Sequence, residues 1–289
     1  MPDHDHKHAQ PDHGHQHGHG GDDAALAEMV DLDAEVLSAY LDEVMGLIHA
    51  AADGPVRRII DLGSGTGTGA LALLRRFDGA EVIAVDASAT MLDRVRAKAV
   101  DLGLQDAIRT VHADLDDSWP TLGPADLVWA AASMHHMGDP DRILADVFGT
   151  IRPGGLFAVA ELDSFPRFLS DDLGDGLEER CHAILAEARA RDLPHIGDDW
   201  GARLRRAGFA VEQERTFAID LTPPLPAATG RYAHASLRRA RPRLEGRISD
   251  ADLATLDALL DEDGPESILR RDDLRVRSTR SLVLARRGS

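Results

Sequence analysis

The chain has 289 residues, 43% of them hydrophobic, and a formal net charge of −18. That length supports one large α/β unit or two small ones with a sizeable core, while the acidic balance argues against nucleic-acid backbones and anionic membranes as partners. The single cysteine, Cys181, excludes an internal disulfide and thiolate zinc clusters.

Residues 1–21, "MPDHDHKHAQPDHGHQHGHGG", hold seven of the fourteen histidines and almost no aliphatic surface. Such a segment cannot bury enough area to offset its ordering entropy, so it is expected to be disordered. His4, His6, His8, His13, His15, His17 and His19 offer neutral imidazoles to adventitious divalent nickel, zinc or copper. They lack the supporting partners of a resident metal site. No apolar run approaches the ~20 residues that span a bilayer. The N-terminus has no basic segment followed by an apolar one, so a cytoplasmic protein is expected.

From Asp22 the pattern changes. Leu26, Met29, Val30, Val36, Leu37, Tyr40, Leu41, Val44 and Leu47 recur at helical spacing and predict one or two amphipathic helices up to about Ala52. "DGP" at 53–55 ends them. Strand and helix then alternate. "VRRIIDL" (56–62) reads as a buried strand and 66–77 as a helix. "AEVIAVDA" (80–87) is the second strand. Ser88 caps the next helix and Gly103 stops it. "AIRTVHAD" (107–114) and "ADLVWAAAS" (125–133) are strands three and four. Asp139 and Pro140 start a helix, which "RPGG" (152–155) closes before a fifth strand, "LFAVAEL". Single helices between strands imply right-handed crossovers and a mostly parallel sheet.

The remaining residues are less regular. Helices are expected over about 171–192 and 198–207, a strand over 209–221, and an arginine-rich helix after "TPPLP". Another helix follows from Ser249, and a last strand covers 275–286. "RYAHASLRRARPRLEGR" (231–247) carries six arginines against one glutamate. It is either a receiver for an anionic substrate or, the favoured alternative, a solvated face paired with acidic surface.

The loop "DLGSGTGTG" (61–69) follows a strand and opens a helix, the setting in which backbone N–H groups and a helix N-terminus meet a ligand. It is not a P-loop, because Ala70 rather than Lys follows Gly69. Gly65, Gly67 and Ala70 do satisfy the dinucleotide form G-x-G-x-x-G/A, with Asp86 about 20 residues further on. Asp61, directly ahead of the loop, opposes a pyrophosphate and suits a ligand carrying an ammonium or sulfonium group.

With these features the chain resembles the class I S-adenosylmethionine-dependent methyltransferases, small-molecule branch. "DLGSGTG" (61–67), "VIAVDASATML" (82–92), "HADLDD" (112–117), "DLVWAAASMHHMGDP" (126–140) and "RPGGLFAVAE" (152–161) match the family's motifs in order. The resemblance covers about 55–165. It implies a Rossmann-like, seven-stranded, mostly parallel sheet with helices on both faces and a last strand inserted antiparallel. It divides the chain into N-terminal helices (22–54), a cofactor-binding core (55–165), substrate-side helices, strand and insertion (166–274), and a final strand (275–286).

The resemblance also implies roles. Asp61, Gly63, Ser64 and Gly65 would hold the methionine half of S-adenosylmethionine, with Ala130 along it. Asp86 would accept both ribose hydroxyls, as an acceptor-only carboxylate with two oxygens can, with Ala87 adjacent. Asp114 would take the adenine amino group, beside Leu115. Met91 would pack on the adenine and Tyr40 would close over the cofactor, although both also fit a core position. S-adenosyl-L-homocysteine would be the product and a small molecule the acceptor, through O, N or C.

Positioning can supply ~7–11 kcal/mol of such a displacement, whereas a general base adds ~10²–10⁴-fold, so no base is obligatory. His135 and His136, after strand four, are the candidates. Alternatively, the pair only orders the loop before "GDP". Glu161, ending strand five, is a further candidate or an orienting group. An NAD(P)-dependent oxidoreductase and a non-catalytic cofactor-binding or metal-handling protein remain as alternatives, and no metal is assigned to the catalytic site.

Overall fold

A computed structural model of the chain describes residues 19–288 apart from Asp171 and Gly174. Two helices come first, α1 (His19–Val36) and α2 (Ser38–Ala51). Helix α1 takes in His19–Gly21, which the sequence reading places in the histidine-rich tail. Residues 1–18, with the metal expectation for most of the histidines, lie outside the described residues.

The alternating region forms β1 (Arg58–Leu62), α3 (Thr68–Arg76), β2 (Glu81–Asp86), α4 (Ala89–Asp101), β3 (Ile108–His112), β4 (Ala125–Ala131), α5 (Pro140–Thr150) and β5 (Ile151–Leu162). Local chemistry sets its helix starts. The Ser88 hydroxyl accepts from the Met91 amide and caps α4, and Asp139 accepts from Arg142 with Pro140 in the first turn of α5. Residues 152–155, which the sequence reading has close α5 and open the fifth strand, lie within β5 from its second residue on. The register shifts between Ala125 and Leu127 on β4, a bulge that keeps the Pro-Gly-Gly segment within the sheet.

Then come α6 (Leu177–Asp192), α7 (Trp200–Arg206), β6 (Phe209–Leu221), α8 (Thr229–Ala240), α9 (Asp250–Leu260) and β7 (Val276–Arg287). Helix α6 begins six residues later than expected, after Gly176 at φ +82°. The seven strands lie in the order β3-β2-β1-β4-β5-β7-β6. β7 runs antiparallel to both β5 and β6.

Strand alternation splits the core between the two sheet faces. Ile60, Leu62, Val128 and Ala130 pack with Ile143 and Val147 of α5. Ile59, Leu127 and Trp129 pack with Val44 and Ile48 of α2 and Leu73 of α3. A third apolar cluster joins Leu32, Phe168, Leu177, Tyr232, Leu256 and Val276, so that α1, α6, α8 and α9 form a cap. Among the described residues no helix is long and apolar enough to cross a membrane.

Candidate functional site

A cavity of about 810 Å³ lies between the carboxyl ends of β1, β2, β4 and β5 and the cap helices. This is the edge at which open α/β sheets bind ligands. Its floor is the glycine loop. Gly63 and Gly65 sit at φ +63° and +51°, a region that residues with a Cβ avoid. A Cβ on Gly63 would also lie 2.5 Å from that of Ser133. Gly69 serves packing instead: a Cβ there would meet the Trp129 indole nitrogen at 2.3 Å, so its absence lets α3 lie against β4.

Asp61 is opposite Ala84 and Trp129 in the sheet and only 2% exposed. Its Oδ2 has no hydrogen-bond partner, and neither does the buried Ser64 Oγ. Burial, then the nearby Asp86, pushes the Asp61 carboxyl up to about 8, partly offset by the Ala70 amide at the start of α3. A buried acceptor left without a partner costs about 1–3 kcal/mol. A ligand ammonium reaching Oδ2 would satisfy it and stabilise the ionised form.

Asp86 ties two loops together. Its Oδ2 accepts from the Gly65 amide and its Oδ1 from the Ser88 amide, both at 2.8 Å. Burial nevertheless keeps its carboxyl above the usual range. Each oxygen retains a lone pair, so accepting from a diol is still open to it. The Asp114 side chain accepts from the Asp116 amide at 2.9 Å and lines the cavity, as do Ala87, Met91, Leu115 and Tyr40. Tyr40 also packs edge-on against Phe217, and burial pushes its hydroxyl up to about 12.

Ala130 does not join them. Its side chain is in the core on the α5 side, because alternation along β4 turns Trp129 and Ala131 to the opposite face. Ala131, Ala132 and Ser133 line the cavity instead. Ala132 holds φ +48°, a strained conformation of the kind stored at binding sites.

His135 and His136 lie in a short 3-10 turn over Met134–His136 after β4, where Glu161 of β5 meets them. His135 Nδ1 lies 2.5 Å from Glu161 Oε2, and both side chains are 3% exposed. Glu161 Oε1 accepts from the Ser133 and Met134 amides at 3.2 and 2.8 Å. Glu161 is therefore occupied in pinning the turn and His135. His136 stacks on His135, ring centroids 4.2 Å apart, and presents accessible surface to the cavity. Partial burial, then the charges of His135 and Arg239, hold its pKa below the ordinary value, opposed by Glu161. A neutral imidazole facing a ligand is competent to accept a proton.

Sequence reasoning missed the other wall. Asp33 of α1 receives hydrogen bonds from Tyr232 of α8 and Arg280 of β7. Arg189, Arg239 and Arg243 also line the cavity, with His182 and Phe165. Arginine density in 231–247 was the only available signal. That stretch divides: Arg241 pairs with Asp257 and Glu245, and Arg247 with Glu187, on the outer surface, while Arg239 and Arg243 turn to the cavity.

Residues 59–155 match the family described as "Methyltransferase domain". A malonyl-[acyl-carrier protein] O-methyltransferase of Laribacter hongkongensis is 32% identical over 66% of this chain and 62% of its own length. A trans-aconitate 2-methyltransferase of Acidovorax ebreus is 27% identical over 75% and 73%. The chain spans 59–62% of the length of the first curated relatives it matches. Among solved structures, the YcgJ protein of Bacillus subtilis superposes with a TM-score of 0.52 at 19% identity, over 86% of this chain and 99% of that one, a likeness of fold. The domain match over residues 59–155 and a sheet whose C-terminal strand is inserted antiparallel agree with the resemblance of the five motifs: this stretch of the chain is similar to the methyltransferase domain of the S-adenosylmethionine-dependent enzymes.

Proposed function

We propose that the protein transfers a methyl group from S-adenosylmethionine to an O, N or C atom of a small molecule. The observation that carries this reading is the unpartnered, buried Asp61 Oδ2 at the floor of the cavity. A cationic amino acid group fits that atom, and a pyrophosphate is opposed by the Asp61–Asp86 pair, which disfavours a nicotinamide dinucleotide.

The cofactor supplies a methyl bound to sulfonium sulfur: the acceptor lone pair makes the new bond, the carbon–sulfur pair stays on sulfur, and S-adenosylhomocysteine leaves. Asp61, Ser64 and the amides of the Gly63–Gly65 loop hold the methionine half. Asp86 accepts from the ribose diol, beside Ala87. Met91, Leu115 and Asp114 border the adenine. Tyr40 closes the side nearest β7. His136 takes the acceptor proton where one must leave, and His135 and Glu161 orient the turn that presents it. The core over 55–165 binds cofactor, and the helices on either side of it in sequence enclose the acceptor. The net charge of −18 and the lone cysteine suit a reducing cytoplasm without nucleic-acid or membrane partners. Divalent metal on the histidine tail is adventitious in this reading.

The test is calorimetric titration of the full chain, in chelator, with S-adenosylhomocysteine and separately with NADH. Micromolar binding of the first alone is expected. Binding of NADH alone would overturn the reading.

A further inference from the structure

The cavity is electrically two-sided. Asp61, Asp86 and Asp114 line the strand edge, and Arg189, Arg239 and Arg243 line the wall made by α6 and the end of α8. The only carboxylate of α6 that reaches the cavity is Asp192, which is exposed. Neighbouring arginines on the same elements hold carboxylates: Arg180 of α6 pairs with Asp252, and Arg241, in the 3-10 turn after α8 that also holds Arg243, pairs with Asp257. Arg189 and Arg243 make no ion pair among the described residues, in a chain with 50 acidic residues against 32 Lys and Arg.

The Arg189 guanidinium lies 3.4 Å over the Phe165 ring, which fixes its plane and leaves its N–H edge for a ligand. Burial, then repulsion from Arg243, lowers its pKa to about 10. His182, two turns earlier on α6, is pushed down to about 4 by burial and by Arg189 and Arg167. It is neutral and adds no third positive charge to the wall. Two cations lining one cavity, neither held by a carboxylate among the described residues, are a ready site for an anion. The surfaces around them are apolar, including Phe165, Phe168, Leu185 and Leu237.

We propose that Arg189 and Arg243 bind an anionic group, carboxylate or phosphate, carried by the methyl acceptor on an apolar body. The proposal rests on the methyltransferase reading for the word acceptor, but the anion site is measurable without it. The acceptor's charged end takes the arginine wall and its apolar part fills the space towards His136. That arrangement keeps the anion away from Asp61 and Asp86, where it would be repelled.

The test titrates the full chain with octanoate, octyl phosphate and 1-octanol, with and without saturating S-adenosylhomocysteine. At least tenfold tighter binding of an acid than of the alcohol is expected, with 0.5 M salt reducing the difference. The tighter of the two acids identifies the anion. Arg189→Met with Arg243→Met should bring the acids to the affinity of the alcohol, while uptake of S-adenosylhomocysteine reports that the variant is folded. Equal binding of acid and alcohol, no binding of either acid, or an acid preference that survives the double substitution overturns the proposal. If the variant does not fold, the preference in the wild type and its loss in salt decide the matter. Failure of S-adenosylhomocysteine to bind counts against the methyltransferase reading alone, because the acid titrations without it still read the arginine wall.

Discussion

Asp61 joins stability, pH and ligand binding in one group. Its carboxyl is pushed up to about 8 in the folded protein, against 3.8 unperturbed. Between those values the folded chain holds a proton that the unfolded chain has released. Stability therefore falls as pH rises through that window and levels off above about 8. Asp61→Asn should remove this slope, measured as urea midpoints from pH 5 to 8, and should abolish uptake of S-adenosylhomocysteine. Asp86 acts differently, because its two oxygens already hold the Gly65 and Ser88 amides. Asp86→Ala should weaken the cofactor at least tenfold by calorimetry, since bonds to a charged acceptor contribute about 1.5–3 kcal/mol each. The two histidines separate on the same logic. Glu161→Ala leaves His135 and two buried amides without an acceptor, and breaking such a buried pair costs about 3–5 kcal/mol, read as a lower Tm. His136→Ala should leave Tm unchanged and lower kcat by about 10²-fold or more where the acceptor must lose a proton. An unchanged kcat would remove the base from the mechanism.

At the scale of elements, α3 and α4 each depend on one small residue. Gly69→Ala would drive a Cβ into the Trp129 indole and lift α3 from the sheet. Overpacking of this kind costs about 1–3 kcal/mol, and the glycine loop at the head of α3 would move with it. Ser88 both caps α4 through the Met91 amide and donates from Oγ to Asp23 of α1 at 2.8 Å. Ser88→Ala should cost about 1 kcal/mol as a lost cap and loosen the first helix over the cofactor end. The bulge in β5 has a comparable local cause: a Cβ on Gly155 would lie 2.6 Å from the Ile151 side chain and 2.9 Å from the Asp126 carbonyl. Only glycine lets the strand rejoin its partner there.

Across the whole molecule, Asp33, Tyr232 and Arg280 bring α1, α8 and β7 to one point. The Arg280 side chain is 11% exposed, so Asp33→Ala would leave a cation in the interior without its partner. A loss of about 3 kcal/mol or more is expected, together with faster release of S-adenosylhomocysteine as α1 loosens, measured by thermal unfolding and stopped-flow. The strand–helix alternation and the glycine loop, with Asp61 ahead of it and Asp86 at the end of the second strand, were legible in the sequence by itself. They arise from short-range patterns and from two parallel strands joined by one short crossover, whose register follows from the hydrophobic runs. The fate of Ala130 was not legible, because a run of alanines carries no signal of which face is inward. The cap and its arginine wall were decided only by tertiary structure. Asp33 is 199 residues from Tyr232 and 247 from Arg280, and no local period encodes such pairings. The 3-10 turn after α8 carries Arg241 outward to Asp257 and Arg243 to the cavity; composition registers both as charge, and only the packing of the cap assigns one to the surface and the other to the site.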